Sequence, residues 1–344
     1  MTDRRATPCD SAGGPVRHVP VLLAEVLLEL APKSGDVIID GTFGAGGYST
    51  GILEKGASVI GVDRDPGAIV GGQGLVEQYP ERLTLIEGRF GELDRHARAA
   101  GFDQVDGVVL DLGVSSMQLD EAERGFSFQK DGPLDMRMEQ KGASAADVVN
   151  KMPVRDLIRI IGMLGEERRA PAVAHAIDAA RKEKPFTRTL ELAAVVEKVV
   201  GRNPKAKIHP ATRTFQGLRL YINGELNEVA QSLQAAEAIL KSGGRLVVVS
   251  FHSLEDRIVK KFFADRCRTH SGGSRHLPET DVPDPTFAPL FKGAVGPGDE
   301  ETSLNPRARS SRMRGGRRTD AAARSLDPKV VGLARMPGFG ELGD

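Results

Sequence analysis

The sequence predicts an α/β fold, a mainly parallel sheet with helices on both faces, interrupted by one long helical excursion. Three observations carry this. Short β-branched runs alternate with helical stretches from about residue 20 to 111, roughly a hundred residues of purely helical periodicity follow, and the β-then-α rhythm returns near residue 223. Strands separated by helices of that kind pair in parallel and are covered on both faces. Because strand signals flank the helical stretch, one sheet with an insertion is more economical than two successive domains. The 344 residues are enough for both parts.

Each element has a local reason. An amphipathic helix is expected over 20–31, then strands in DVIID (36–40), SVIGV (58–62), RLTLIE (82–87) and VDGVVLDL (105–112). Helices around 48–55, 66–79 and 91–100 lie between them. The excursion reads as helices in DVVNKMPVRDLIRIIGML, PAVAHAIDAARK and TLELAAVVEKVV. A helix over 223–241, the strand RLVVVSF and a helix near 254–266 complete the sheet. From 268 to 303 the chain is rich in Gly and Pro with little periodicity, the pattern of a long surface loop or a disordered segment. The expected division is 1–120 plus 222–344 for the sheet domain with a basic C-terminal tail, and 121–221 for the helical insertion.

Lysine plus arginine and aspartate plus glutamate both number 47, so the formal net charge is zero, but the signs are segregated. Residues 141–220 hold 16 basic and 8 acidic side chains, and LNPRARSSRMRGGRR (304–318) holds six arginines and no acid. The rest of the chain is acidic. Basic runs are most often solvated faces, yet an acidic body with two basic patches is also how a chain holds a polyanion at chosen places.

Two cysteines, Cys9 and Cys267, provide no disulfide framework, which fits a reducing cytosol. No apolar run approaches the roughly 18 to 20 residues that span a bilayer. The opening MTDRRATPCDSAGG lacks the apolar centre of a signal peptide. A cytoplasmic protein without a membrane partner is expected, its oligomeric state open, a homodimer included. Cys267, His270 and His276 fall short of a structural zinc pattern, so no metal is expected.

The first strand ends at Asp40 and runs into GTFGAGG (41–47), after which a helix begins. A strand, a glycine-rich turn and a helix N-terminus let backbone N–H groups approach a ligand closely. The spacing is not GxGxxG, because Ser49 stands where Gly44 and Gly46 would require a third glycine. The second strand ends at Asp63, where a carboxylate can accept both hydroxyls of a ribose. Asp65 before Pro66 fits a helix N-cap. The fourth strand ends at Asp111, aimed at the same crevice. Downstream, Phe126 and Phe128 in RGFSF could stack on a base or belong to a core, and His252 in SFHSLEDR could touch a substrate or pack.

Taken together, HVPVLLAEVL, DGTFGAGGYS, VDRDP, LDLGVSSMQLDEAERGFSFQKDGPLDMRM, HPATRTFQGLRLYINGEL, GGRLVVVSFHSLEDRIVK and NPRARSSRMR resemble the MraW family of bacterial ribosomal RNA methyltransferases. The resemblance runs from about His18 to Arg318. It implies a class I, Rossmann-like methyltransferase sheet with an inserted all-helical domain. It also implies S-adenosylmethionine as cofactor and N4 of a cytosine in the decoding region of 16S rRNA, within the small ribosomal subunit, as substrate. The family's cofactor site falls on Gly46, Gly47 and Tyr48, on Asp63 for the ribose, on Phe90 beside the adenine, and on Asp111 and Gln118. The family often has histidine where this chain has Tyr48, which leaves a backbone contact as that residue's contribution. The Asp/Asn/Ser-Pro-Pro-aromatic motif of many amino-methyltransferases is replaced by Asp111, Leu112, Gly113 and Val114.

Asp111 is the candidate catalytic acceptor for the cytosine amine, or else it orients the cofactor's amino group. Phe126, Phe128, His252, Arg307 and Arg309 are the candidate RNA contacts, since the base must be presented unstacked and the arginine tail can reach phosphates. Two other classes remain open. A nicotinamide-dependent oxidoreductase shares the glycine loop and Asp63, and a non-catalytic RNA-binding assembly factor would use only the basic segments.

Overall fold

The computed structural model describes residues 20–202, 208–269, 283–333, 336 and 338. Strands β1 (Val37–Asp40), β2 (Ser58–Asp63), β3 (Leu83–Glu87), β4 (Val105–Asp111), β5 (Leu240–Ser250), β6 (Phe287–Pro289) and β7 (Arg312–Arg318) form one sheet in the order β3-β2-β1-β4-β5-β7-β6. β1 to β5 pair in parallel, and β7 runs antiparallel between β5 and β6. This is the Rossmann-like class I methyltransferase sheet.

Period-two alternation divides the strands between two apolar layers. Ile39, Val108, Leu246 and Val248 face one side. Ile38, Val109, Val247 and Val249 face the other. On that second side lie α1 (Leu23–Leu30) and α2 (Gly47–Glu54). The expected helix over 66–79 is instead two, α3 (Pro66–Gly71) and α4 (Gln73–Gln78), joined at Gly72. Asp65 caps α3, accepting from the N–H of Gly67 at 3.0 Å, with Pro66 in the first turn. Helix α5 (Leu93–Ala99) packs on the first side.

The excursion comprises α6 (Ser116–Asp120), α7 (Ala145–Lys151), α8 (Val154–Arg159), α9 (Ala170–Glu183), α10 (Thr189–Val200) and α11 (Thr212–Asn223). It has its own apolar centre, built from Val148, Leu157, Val173, Leu192 and Leu218 among others. The sequence pattern does not reveal α11 and places one helix over 223–241. Gly224, at φ 61, turns the chain between α11 and α12 (Glu225–Ile239). Helix α12 stops at Ile239, so β5 begins earlier than expected, with a register shift opposite Val105 and Gly107. Helix α13 (Ser253–Arg266) then joins α12 and α5 over the first face.

The basic C-terminal tail is a correction, because its arginines form a sheet strand. Met313 is buried, and the bare backbones of Gly315 and Gly316 leave room for Leu290, Phe263 and Phe287 to lie against the strand. A Cβ on Gly316 would fall 2.6 Å from the Phe263 ring. Arg314 pairs through both nitrogens with Asp256 at 2.8 and 3.0 Å. The buried Arg318 donates to the carbonyls of Glu237 and Thr286. The stretch 268–303 is likewise more ordered than its composition suggests: its described part contains β6 and α14 (Asp299–Leu304), and Thr286 is buried. Helix α15 (Pro328–Val331) packs on α13. Cys9, His270 and His276 lie outside the described residues. No helix among the described residues is long and apolar enough to cross a membrane.

Candidate cofactor and substrate cleft

Chain order reverses between β1 and β4, so a crevice opens beyond their carboxyl ends, the place where open α/β sheets bind ligands. A cleft of about 340 Å³ occupies it, and Gly44, Gly47, Tyr48, Asp63, Phe90, Asp111, Gln118, His252, Arg219 and Arg307 line it. Sequence reasoning placed eight of these in a functional site. It missed Arg219, which reaches the cleft from α11 and forms a two-pronged pair with Glu225 at 2.9 Å per bond.

The glycine loop is held by carboxylates at strand ends. The N–H of Gly44 donates to Asp63 Oδ2 and that of Asp65 to Asp63 Oδ1, both at 2.8 Å. Gly44 (φ 53) and Gly46 (φ 76) take left-handed conformations that build the turn. Gly47 allows close approach, because a Cβ there would fall 2.1 Å from Pro20 Cγ. Gly46 itself sits behind the cleft wall as the residue preceding α2. Tyr48 is buried and its hydroxyl donates to the carbonyl of Val21.

Behind the loop, Asp40 is fully buried. It accepts from Ser49 Oγ at 2.7 Å and from the N–H of Thr42 at 3.2 Å. Thr42 Oγ1 in turn accepts from the N–H of Asp111 at 2.6 Å, tying the ends of β1 and β4 together. The same signal that marks Asp63 and Asp111, a carboxylate closing a strand, marks Asp40. Burial pushes the Asp40 carboxyl up to about 6 despite the Ser49 and Thr42 hydrogen bonds. Asp63 is also raised, again chiefly by burial. Asp111 is raised well above the carboxylate range by burial, with the charges of Asp40 and Glu255 adding to it. Its Oδ1 is buried with no hydrogen-bond partner. The cleft floor therefore gathers three carboxyls raised by burial, Asp111 with its unpaired Oδ1 among them.

His252 precedes α13 as its cap: Nδ1 accepts from the N–H of Glu255 at 3.4 Å, and Glu255 Oε2 accepts from the N–H of His252 at 3.3 Å. Its Nε2 lies 3.1 Å from Glu255 Oε1 without an aligned hydrogen bond. Gln118 uses both ends of its amide, donating to Asp65 Oδ2 at 2.8 Å and accepting from the N–H of Ser115 at 3.1 Å.

Phe126 is a correction. It is buried in the insertion's apolar centre with Arg124 over its ring, so it offers no face to a base. Phe128 packs edge-on against Phe215 and beside the His209 ring, also away from the cleft lining. Arg309 is exposed outside the cleft, while Arg307 lines it and pairs with Asp120 at 2.9 Å.

Residues 15–319 match the model of the MraW methylase family. The chain belongs to that family. A ribosomal RNA small subunit methyltransferase H of Brucella anthropi is 61% identical over 333 residues, covering 96% of this chain and 95% of the relative. One of Brucella ovis is 60% identical over 332 residues, covering 96% of each. A solved rRNA methylase of Streptococcus thermophilus aligns at TM-score 0.38 and 10% identity, covering 87% of this chain and 93% of that one.

As a family methylase the chain uses S-adenosylmethionine, and the cleft suits it. The cofactor brings a sulfonium cation, an amine and ribose hydroxyls to a floor of carboxyls raised by burial, one of whose oxygens has no donor. A nicotinamide-dependent oxidoreductase is set aside by the family membership.

Proposed function

We propose that this chain transfers the methyl group of S-adenosylmethionine to N4 of a cytosine in the decoding region of 16S rRNA, with the small ribosomal subunit as partner. One observation carries the reading: in a chain about 60% identical to rRNA small subunit methyltransferases, the ends of β2 and β4 present Asp63 and Asp111, with its unpaired Oδ1, to one cleft. Asp63 receives the ribose, Phe90 lies beside the adenine, and the backbone at Gly47 and Tyr48 approaches the cofactor's methionine end, with Gly46 shaping the turn behind them. Gln118 acts by holding Asp65.

S-adenosylmethionine, when bound, supplies an electrophilic methyl group on a cationic sulfur. The cytosine amine is a weak nucleophile, because its lone pair is delocalised into the ring. Asp111 accepts one of its N–H groups and so favours the pyramidal geometry in which that lone pair points away from the ring. A methylated amine carries one proton too many, and Asp111, which the sulfonium's charge favours in its ionised form against the effect of burial, is the carboxylate placed to take it. His252 and Arg307, at the cleft wall, contact the target nucleotide. Arg309, Arg312 and Arg317, all exposed, reach phosphates.

The test is transfer of labelled methyl to small subunits purified from a strain lacking this protein, followed by nuclease mapping. N4-methylcytidine, lost with Asp63→Ala, is the expected product. Transfer to another nucleoside, or none to subunits or free rRNA despite cofactor binding, overturns the acceptor.

A further inference from the structure

We propose that Glu139, a residue of the helical insertion, is a positioning residue for the cofactor. The inference rests on the reading above that Asp63 and Phe90 receive the adenosine part of S-adenosylmethionine. Those two residues sit in separate strand-end loops, and one carboxylate clasps the arginine beside each. Arg64, which follows Asp63, reaches Glu139 Oε1 through one terminal nitrogen at 2.7 Å and through Nε at 2.9 Å. Arg89, which precedes Phe90, reaches the same oxygen through Nε at 2.8 Å and Oε2 through a terminal nitrogen at 3.2 Å.

The other donors of both arginines extend the grip. Arg64 donates to the carbonyl of Asn223 at 2.8 Å, and Arg89 pairs with Glu228 at 3.2 Å. Glu228 also accepts from the N–H of Gly91 at 3.0 Å, fixing the residue after Phe90. The insertion holds the Asp63 loop at a second point, where Arg124 pairs with Asp65 at 2.8 Å. Arg64 is only 7% exposed, so its charge is poorly screened. Burial works to raise the Glu139 carboxyl, but Arg89 and Arg64 outweigh it and hold it below the usual range.

Without the charge on Glu139, two guanidinium groups converge on a neutral side chain, with Glu228 left as the carboxylate beside Arg89. They repel, and each carries its neighbour, Asp63 or Phe90, away from the geometry that binds adenosine. Affinity falls because the loops must then be ordered on binding rather than beforehand.

The test is Glu139→Gln in the full chain, a near-isosteric change at a side chain 25% exposed. By titration calorimetry the Kd for S-adenosylmethionine should rise about tenfold. The KM for cofactor should rise with it, while kcat on small subunits at saturating cofactor stays unchanged. Repeating the change in an Arg89→Met background should cost less, because the repulsion it exposes is gone, and an equal cost there overturns the claim that Glu139 acts through Arg89. An unchanged Kd in Glu139→Gln, with Asp63→Ala abolishing binding, overturns the proposal alone. Undiminished binding in Asp63→Ala overturns the underlying site reading and the proposal with it.

Discussion

The sheet and the helical insertion are each built around a large dry centre, yet they meet mainly through polar contacts beside one small apolar cluster of Leu164, Leu220 and Leu254. Within the sheet, neighbouring strands share two continuous apolar layers. Between sheet and insertion, Arg64 and Arg89 meet Glu139, Arg124 meets Asp65, and the carbonyl of Asn223 accepts from Arg64. On the other side of the cleft, Glu166 accepts from Ser253 and pairs with Arg257 at 3.4 Å. A shift at such a seam opens only that small cluster, whereas a shift within the sheet opens a large core. Asp63, Phe90 and Asp111 lie on the sheet side, and Gln118, Arg124 and Glu139, which hold the neighbouring loops, belong to the insertion.

The comparison breaks or sharpens first at the two cores. Leu246→Ala in the sheet and Leu192→Ala in the insertion each remove a fully buried side chain and should cost about 2–5 kcal/mol. Leu246→Ala should lower the melting temperature and cofactor affinity together. Leu192→Ala should raise hydrogen exchange in α9 and α10 and reduce RNA methylation, with a smaller change in cofactor Kd. Equal losses of cofactor affinity would show that the two cores respond as one.

The next effect belongs to the carboxyl floor. Because the Asp40 carboxyl titrates at about 6 when folded rather than at its ordinary 3.8, the folded chain holds a proton across that window that the unfolded chain has released. Stability of the ligand-free protein should therefore fall as pH rises from 4 to 6, by up to about 1.4 kcal/mol per unit for one linked proton. Cofactor binding should run the other way, strengthening as the pH rises through about 6, because a sulfonium favours the ionised cluster. Asp40→Asn should flatten both profiles, read by denaturant titration and calorimetry between pH 4 and 7.5.

The smallest effect concerns β7 and the turn before it. Replacing the exposed Arg309, Arg312 and Arg317 with Gln should flatten the salt dependence of RNA affinity, by roughly 0.7–0.9 in slope for each phosphate no longer neutralised. Arg314→Gln should instead lower the melting temperature, since its partner is Asp256. An unchanged slope in the triple variant removes this stretch from the RNA surface.

Much of the fold was legible because its signals are local. β-branched runs, helical periodicity and the glycine turn marked β1 to β4, α1, α2 and the apolar half of β5, and carboxylates closing strands marked Asp63 and Asp111. α11 was hidden because its buried face is interleaved with Arg213, Gln216 and Arg219, and β7 because a run of arginines reads as a solvated tail. Phe126 showed alternation but not which core would claim it.

The sequence by itself determined that β1 to β4 alternate with helices and that a cofactor turn follows the first strand, because backbone preference and side-chain period act over a few residues. Only the tertiary structure decided that residues 312–318 pair beside β5, that Glu139 lies between Arg64 and Arg89, and that Asp111 Oδ1 is left unpaired. Those outcomes depend on burial and on charges brought together from positions 25 to 75 residues apart in the chain, as with Arg64, Arg89 and Glu139. No local pattern encodes such distances.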